Sequence, residues 1–121
     1  MAQTPEGKVK DRVKKLLVQY GAYYYMPMQN GMGRVGVPDI VACMPSPVGG
    51  LFVAIETKAP GKRNNTTANQ NREIDWIKRT GGVALVVDDA EQLKEVFDRL
   101  TGEHNDRSAQ AQSLGAQDSQ P

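Results

Sequence analysis

Cysteine is almost absent from this chain. Cys43 is the single one, so no internal disulfide can form. It sits within the apolar run Ile40-Val41-Ala42-Cys43-Met44, which marks it as a small core residue in a reducing compartment. Histidine is just as scarce. Cys43 and His104 together cannot supply the four ligands of a structural zinc site. No apolar run approaches the roughly 20 residues of a membrane span. The first residues, Met1-Ala2-Gln3-Thr4-Pro5-Glu6, lack the apolar stretch of a secretory leader, so a cytoplasmic setting without membrane contact is expected. The Gly-rich segment around Gly31, Gly33 and Gly36 is not followed by Gly-Lys-Ser/Thr, which argues against a P-loop and a nucleotide cofactor.

What is present is one domain's worth of chain, 121 residues with 39% apolar and 24% charged content. The net charge of +1 conceals an asymmetry. Residues 1–79 carry 12 Lys/Arg against 6 Asp/Glu, and residues 80–121 carry 3 against 8. A basic first two-thirds suits an anionic partner such as nucleic acid.

Thr4-Pro5-Glu6 is a helix start, with a hydroxyl cap, proline at the first helical position and an acid in the first turn. Val9, Val13, Leu16 and Leu17 keep helical spacing to about Gln19, and the lysines and arginines between them form a basic outer surface that includes Lys8. Glu6, three residues before Val9, falls on or beside the buried stripe. Ala22–Met28 reads as an edge strand because Pro27 cannot donate to a ladder. Gln29–Val37 is a loop carrying one cation, Arg34. Pro38-Asp39 opens a strand through Met44. A turn over Pro45–Gly50 follows, and Leu51–Thr57 is apolar on both faces, hence central. A basic loop with Lys62 and Arg63 leads to a helix capped by Thr66 or Thr67, which runs to Thr80 and Gly81-Gly82. Gln70, Ile74 and Ile77 share one side of it, with Trp76 as a core anchor. Val83–Val87 is a buried strand. Asp88 or Asp89 caps a last helix with Leu93, Val96, Phe97 and Leu100 inward. The predicted fold is therefore α/β, helix–three strands–helix–strand–helix, a mixed sheet flanked by helices over residues 1–100. Residues 101–121 form a disordered polar tail.

The chemistry gathers around the second and third strands. If they form an antiparallel hairpin with Met44 opposite Leu51, Asp39 falls opposite Glu56, and directly opposed Cβ atoms lie roughly 4.5–5.5 Å apart. Two carboxylates so placed repel unless a cation bridges them. Lys58, two residues past Glu56, projects from the same face. Oxygen ligands of this kind suit Mg²⁺ or Mn²⁺, with Glu6 a further ligand. Such a metal polarises a phosphodiester, while Lys58 positions or deprotonates the attacking water and Gln70 orients either. Arg34, Lys62 and Arg63, with Lys8 of the first helix, would meet the phosphate backbone.

Pro38-Asp39 and Glu56-Thr57-Lys58 together resemble the PD-(D/E)XK nuclease motif. Three wider stretches resemble the VRR-NUC branch of that superfamily, in its short stand-alone phage and prophage form: Thr4–Lys10, Gln29–Asp39 (Gln-Asn-Gly-Met-Gly-Arg-Val-Gly-Val-Pro-Asp) and Phe52–Gly61 (Phe-Val-Ala-Ile-Glu-Thr-Lys-Ala-Pro-Gly). The resemblance spans about residues 4–88. It implies a restriction-endonuclease-like core and a Mg²⁺/Mn²⁺-dependent DNA endonuclease. Asp39 and Glu56 match the metal acids, Lys58 the catalytic lysine, and Glu6 and Gln70 the supporting residues. It further implies a homodimer acting on branched, Holliday-junction-like DNA in bacterial or phage-infected cytoplasm. Two alternatives stand beside it. One is a non-catalytic DNA-binding module on the same fold, against which the intact acid–acid–lysine set speaks. The other is a sequence-specific restriction endonuclease, for whose specificity domain there is little room.

Overall fold

The computed structural model describes residues 3–28 and 33–102. The order is α1 (Pro5–Gln19), β1 (Tyr23–Tyr25), β2 (Ile40–Ser46), β3 (Gly49–Thr57), α2 (Ala68–Arg79), β4 (Val83–Val87) and α3 (Gln92–Thr101). The strands form one sheet ordered β1-β2-β3-β4. β1–β2 and β2–β3 are antiparallel, and β3–β4 is parallel because α2 carries the chain back across the sheet.

Local rules place α1. The Thr4 hydroxyl accepts the Gly7 amide at 3.0 Å and Pro5 opens the helix. Its buried side is Val9, Val13, Leu16 and Leu17. These pack with Leu93 and Phe97 of α3 against the inward row of the sheet, Ile40, Ala42, Met44, Val53, Ile55 and Val87. Tyr20 and Phe97 meet edge to face with centroids 5.3 Å apart. α2 lies on the other face against β4, where Ala54, Ala84 and Ile74 are buried.

The β2–β3 turn is tighter than the six residues expected. Pairing continues through Pro45↔Gly50 and Ser46↔Gly49, leaving Pro47 and Val48 at the tip. The Ser46 hydroxyl accepts the Val48 amide and donates to the Gly49 carbonyl, and Gly49 takes a φ of +118°. β1 is an edge strand as expected, but only three residues long. β4 is the other edge and only partly buried, where a buried strand was expected. Neither aspartate caps α3. Its N-cap is Glu91 without a side-chain bond, and Asp89 instead accepts the Glu91 amide in the preceding turn.

Two core assignments are overturned. Cys43 is exposed, because strand alternation turns it away from the face that holds Ala42 and Met44. Trp76 is 48% exposed; it lies two residues past Ile74, off that residue's buried side of α2. The polar tail expected from residue 101 starts later, because Thr101 is the buried last residue of α3 and Gly102 is its C-cap; residues 103–121 lie outside the described residues. No helix among the described residues is long and apolar enough to cross a membrane.

Candidate active site

The hairpin register is the one that brings the two carboxylates together. Met44 pairs with Leu51 and the ladder runs to Ile40↔Ile55; one step further, Asp39 leads into β2 beside Glu56 near the end of β3. Thr57, fully buried, holds the first carboxylate. Its amide and its hydroxyl donate to Asp39 Oδ2 at 3.1 and 2.7 Å. Lys10 Nζ approaches the same oxygen at 4.0 Å from α1.

Glu56 is only 4% exposed. Its Oε2 accepts Gln70 Nε2 at 2.9 Å and has Lys58 Nζ at 3.7 Å. Gln70 Oε1 in turn accepts Lys58 Nζ at 2.9 Å. The same oxygen accepts the Thr67 amide at 3.0 Å, while Thr67 Oγ1 accepts the Gln70 amide at 3.1 Å. Gln70 is thus the third residue of a capping box at the start of α2. One helix-start motif therefore orients the amide that joins Glu56 to Lys58. Flipping that amide would set its NH₂ against an ammonium and its oxygen against a carboxylate, so the neighbours dictate its orientation. On the β side, the Lys58 amide donates to the Val87 carbonyl at 2.8 Å, continuing the parallel pairing of β3 with β4.

Burial, and then the charge of Asp39, push the Glu56 carboxyl up to about 7; Lys58 and the Asp39 backbone pull in the opposite direction, and Glu6 adds to the rise. Burial thus makes it costly to ionise both Asp39 and Glu56, and hard oxygen donors of this kind are ones that a divalent cation would suit.

Asp39, Glu56, Lys58 and Gln70 come together as the sequence reading expected. Glu6 does not complete a ligand cluster: among the described residues no group of three or more His, Cys, Asp or Glu is arranged to hold a metal. It lines an open cleft of about 450 Å³ with Gly7, Lys10 and Ala59 at the start of α1. Lys8, Lys62 and Arg63 are exposed. The loop bearing the last two is pinned by the Gly61 amide donating to Asp88 Oδ2 at 2.8 Å.

Arg34, expected as a phosphate contact, is engaged within the protein itself. Its Nε and Nη2 donate to the two oxygens of buried Glu73 at 3.0 and 3.1 Å, and its guanidinium lies 5.2 Å from the Trp76 ring centroid. Arg72 donates to the same carboxylate at 3.2 Å and to the Val35 carbonyl at 2.9 Å, which ties the loop to α2. Gly36 makes that approach possible. It has a φ of +93°, and a Cβ there would come within 2.5 Å of the Asn69 backbone and 2.7 Å of the Gln70 amide nitrogen.

Sequence reasoning missed Thr57, Lys10, Thr67 and Glu73 as site-forming residues. Lys10 carried a signal, since it lies four residues after Glu6 on the same side of α1. The Thr67-x-x-Gln70 spacing is likewise a capping-box signature. Glu73 carried none, because its partner lies 39 positions away.

No family model matches the chain, and no curated protein does. Among solved structures, one described as a VRR_NUC domain is 26% identical, with a TM-score of 0.62, over 79% of this chain and 97% of that one. The three helices and four-strand mixed sheet of this chain are consistent with that fold.

Proposed function

We infer that this chain is a member of the VRR-NUC family, as its likeness to a solved VRR_NUC domain supports, and on that premise propose that it is a divalent-metal-dependent DNA endonuclease hydrolysing phosphodiester bonds, with branched DNA as its substrate. The observation that carries this reading is the paired Asp39 and Glu56 with Lys58 tied to the second acid through Gln70.

Asp39 and Glu56 are the residues that would hold Mg²⁺ or Mn²⁺, which supplies polarisation of a phosphodiester oxygen and a more acidic water. The protein's own contribution is positional. Thr57 fixes Asp39 from behind with two hydrogen bonds, leaving its other oxygen for a ligand. A cation held there would favour the ionised form of Glu56. Lys58, 13% exposed at its side chain and held by Gln70, keeps its ammonium beside the place where charge develops on the phosphate. From there it can also orient the attacking water. Branch selectivity and a two-copy assembly are carried from the resemblance of the short family members.

The test is cleavage of a panel of four-way junction, fork, flap and single-stranded DNA with each metal, alongside Lys58→Ala. Metal-dependent nicking of branched substrates, lost in the variant with the fold intact, is expected. Wild-type activity in Lys58→Ala would overturn the assigned mechanism, and binding without cleavage under every metal would overturn the activity.

A further inference from the structure

Among the described residues, no helix covers the sheet face that carries Glu56 and Lys58 over β1 and β2. Register and alternation resolve it into rows. Tyr23, Cys43 and Phe52 lie side by side in one row, and Tyr25, Val41 and Ala54 in the next. One further step along the strands lies the Asp39–Glu56 pair. The aromatic members are open to solvent: Tyr23 is 72% exposed, Tyr25 55% and Phe52 49%. Tyr24, between the two outer tyrosines, packs inward on the core, so the outward pair is set by the pleat. Beyond Phe52 the same surface continues to Trp76 of α2, and the two line a cavity of about 210 Å³ with Arg34, Ile77 and Thr80.

We propose that this face is a stacking platform for the unpaired bases of a DNA strand that leads into the Asp39–Glu56 pair, so that the protein selects splayed rather than duplex DNA beside the cut. The inference rests on the nuclease reading of that pair and names the part of the substrate that the neighbouring surface holds.

Three observations favour a nucleic-acid strand as the occupant. The first is chemical. The exposed apolar groups here are chiefly flat rings, and base–aromatic stacking accepts any base. The second is spacing. Outward positions two residues apart on a strand are separated by about 6.8 Å, twice the roughly 3.4 Å rise per nucleotide of a stacked B-form strand. Rings at that interval match bases pulled apart from each other, and a stacked duplex offers them no base faces. The third is charge and continuity. Trp76 is flanked on α2 by Arg72 and Arg79, at i−4 and i+3 and both exposed. Arg34, clamped by Glu73, presents a fixed guanidinium plane over Trp76, a surface on which a base also stacks. A second copy of the chain laid across Tyr25 and Val41 would roof the carboxylates one row away, whereas a strand crossing those rows arrives at them.

The experiment measures binding without cleavage. Fluorescence anisotropy in EDTA compares a labelled oligothymidine with a blunt duplex of the same length, for wild type and for Tyr23→Ala, Tyr25→Ala, Phe52→Ala and the two Tyr→Phe variants. Each alanine variant is expected to weaken oligothymidine binding about tenfold and leave duplex binding unchanged. The phenylalanine variants should bind as wild type, and the emission of Trp76, the one tryptophan, should be quenched by oligothymidine alone. Thermal melts and sedimentation of each variant accompany the titrations. Unchanged oligothymidine binding, an equal loss on duplex, or alanine variants that change the oligomeric state would overturn the platform; the last would assign the face to a second copy. Because metal is absent, the nuclease reading can fail its own cleavage test while the platform stands, and the reverse.

Discussion

Glu56 and Glu73 are almost equally buried, at 4% and 3% exposure, and α2 contributes to the surroundings of both. Their environments nevertheless drive them apart. Glu73 meets a two-pronged guanidinium from Arg34 and a second from Arg72, and the Arg34 hydrogen bonds, first among these, hold its carboxyl below the usual range. Glu56 meets a glutamine amide, a lysine at 3.7 Å and a second carboxylate, and burial with Asp39 pushes it up to about 7. Equal exposure therefore does not fix the state of an acid: desolvation leads at Glu56, and the Arg34 hydrogen bonds outweigh it at Glu73. A carboxylate whose charge is matched is a structural clasp, here fastening the loop at Arg34 and Val35 to α2. One raised by burial and by a neighbouring carboxylate is a candidate functional group.

The most forceful way to break the comparison is to remove the lysine from the second network. Lys58→Ala should lower junction cleavage by about 10²–10⁴-fold while circular dichroism shows the fold retained. The equivalent change on the first network, Arg34→Ala, should leave far more of the cleavage rate.

Gly36 sits against the turn of α2 that bears Gln70, in the segment Arg72 ties down, so it touches both networks. Gly36→Ala forces a side chain into a positive-φ position and against the Asn69 and Gln70 backbone. A loss of roughly 1–3 kcal/mol in denaturant unfolding is expected, together with reduced cleavage, because Gln70 must shift. An unaltered unfolding curve would show that the loop and α2 are not coupled as drawn.

Glu73→Gln separates clasp from catalyst. It should lower the melting temperature on the order of 5 °C at neutral pH, with metal-dependent cleavage largely kept. Because the Glu73 carboxyl is held low in the folded protein, the penalty should shrink as the pH falls through its folded pKa, where wild type loses the same stabilisation.

The last effect has the opposite sign. A carboxyl raised from 4.5 to about 7 by folding binds its proton more tightly in the native state, so wild type loses stability as pH rises across that interval. Glu56→Gln lacks this loss, and without divalent metal its stability advantage should grow from about pH 4.5 to about 7 and then level off. Adding Mn²⁺ above pH 7 should raise the wild-type melting temperature and not the variant's. A flat difference across pH would show that Glu56 is not the strained acid described here.

Much of this was legible in the chain. The Thr4-Pro5-Glu6 start, the alternation of β2 and β3 and the Met44–Leu51 register follow from near-neighbour rules, and they suffice to bring Asp39 beside Glu56 and Lys58. Hydrophobicity alone points Trp76 and Cys43 to the core, yet both are exposed. Which face of a sheet receives a helix is decided by crossover connections elsewhere in the chain, and α2 covers β4 while leaving the outward rows of β1 and β2 open.

The sequence by itself determined the elements and the acid–acid–lysine set, because hairpin register and helix caps depend on residues a few positions apart. Only the tertiary structure decided what each charge faces. Arg34 finds Glu73 at a separation of 39 and Tyr20 finds Asp98 at 78. Lys10 reaches Asp39 because of how α1 lies on the sheet. The charge of a buried carboxylate is set by groups within a few ångströms in space, and their distance along the chain carries no information about that.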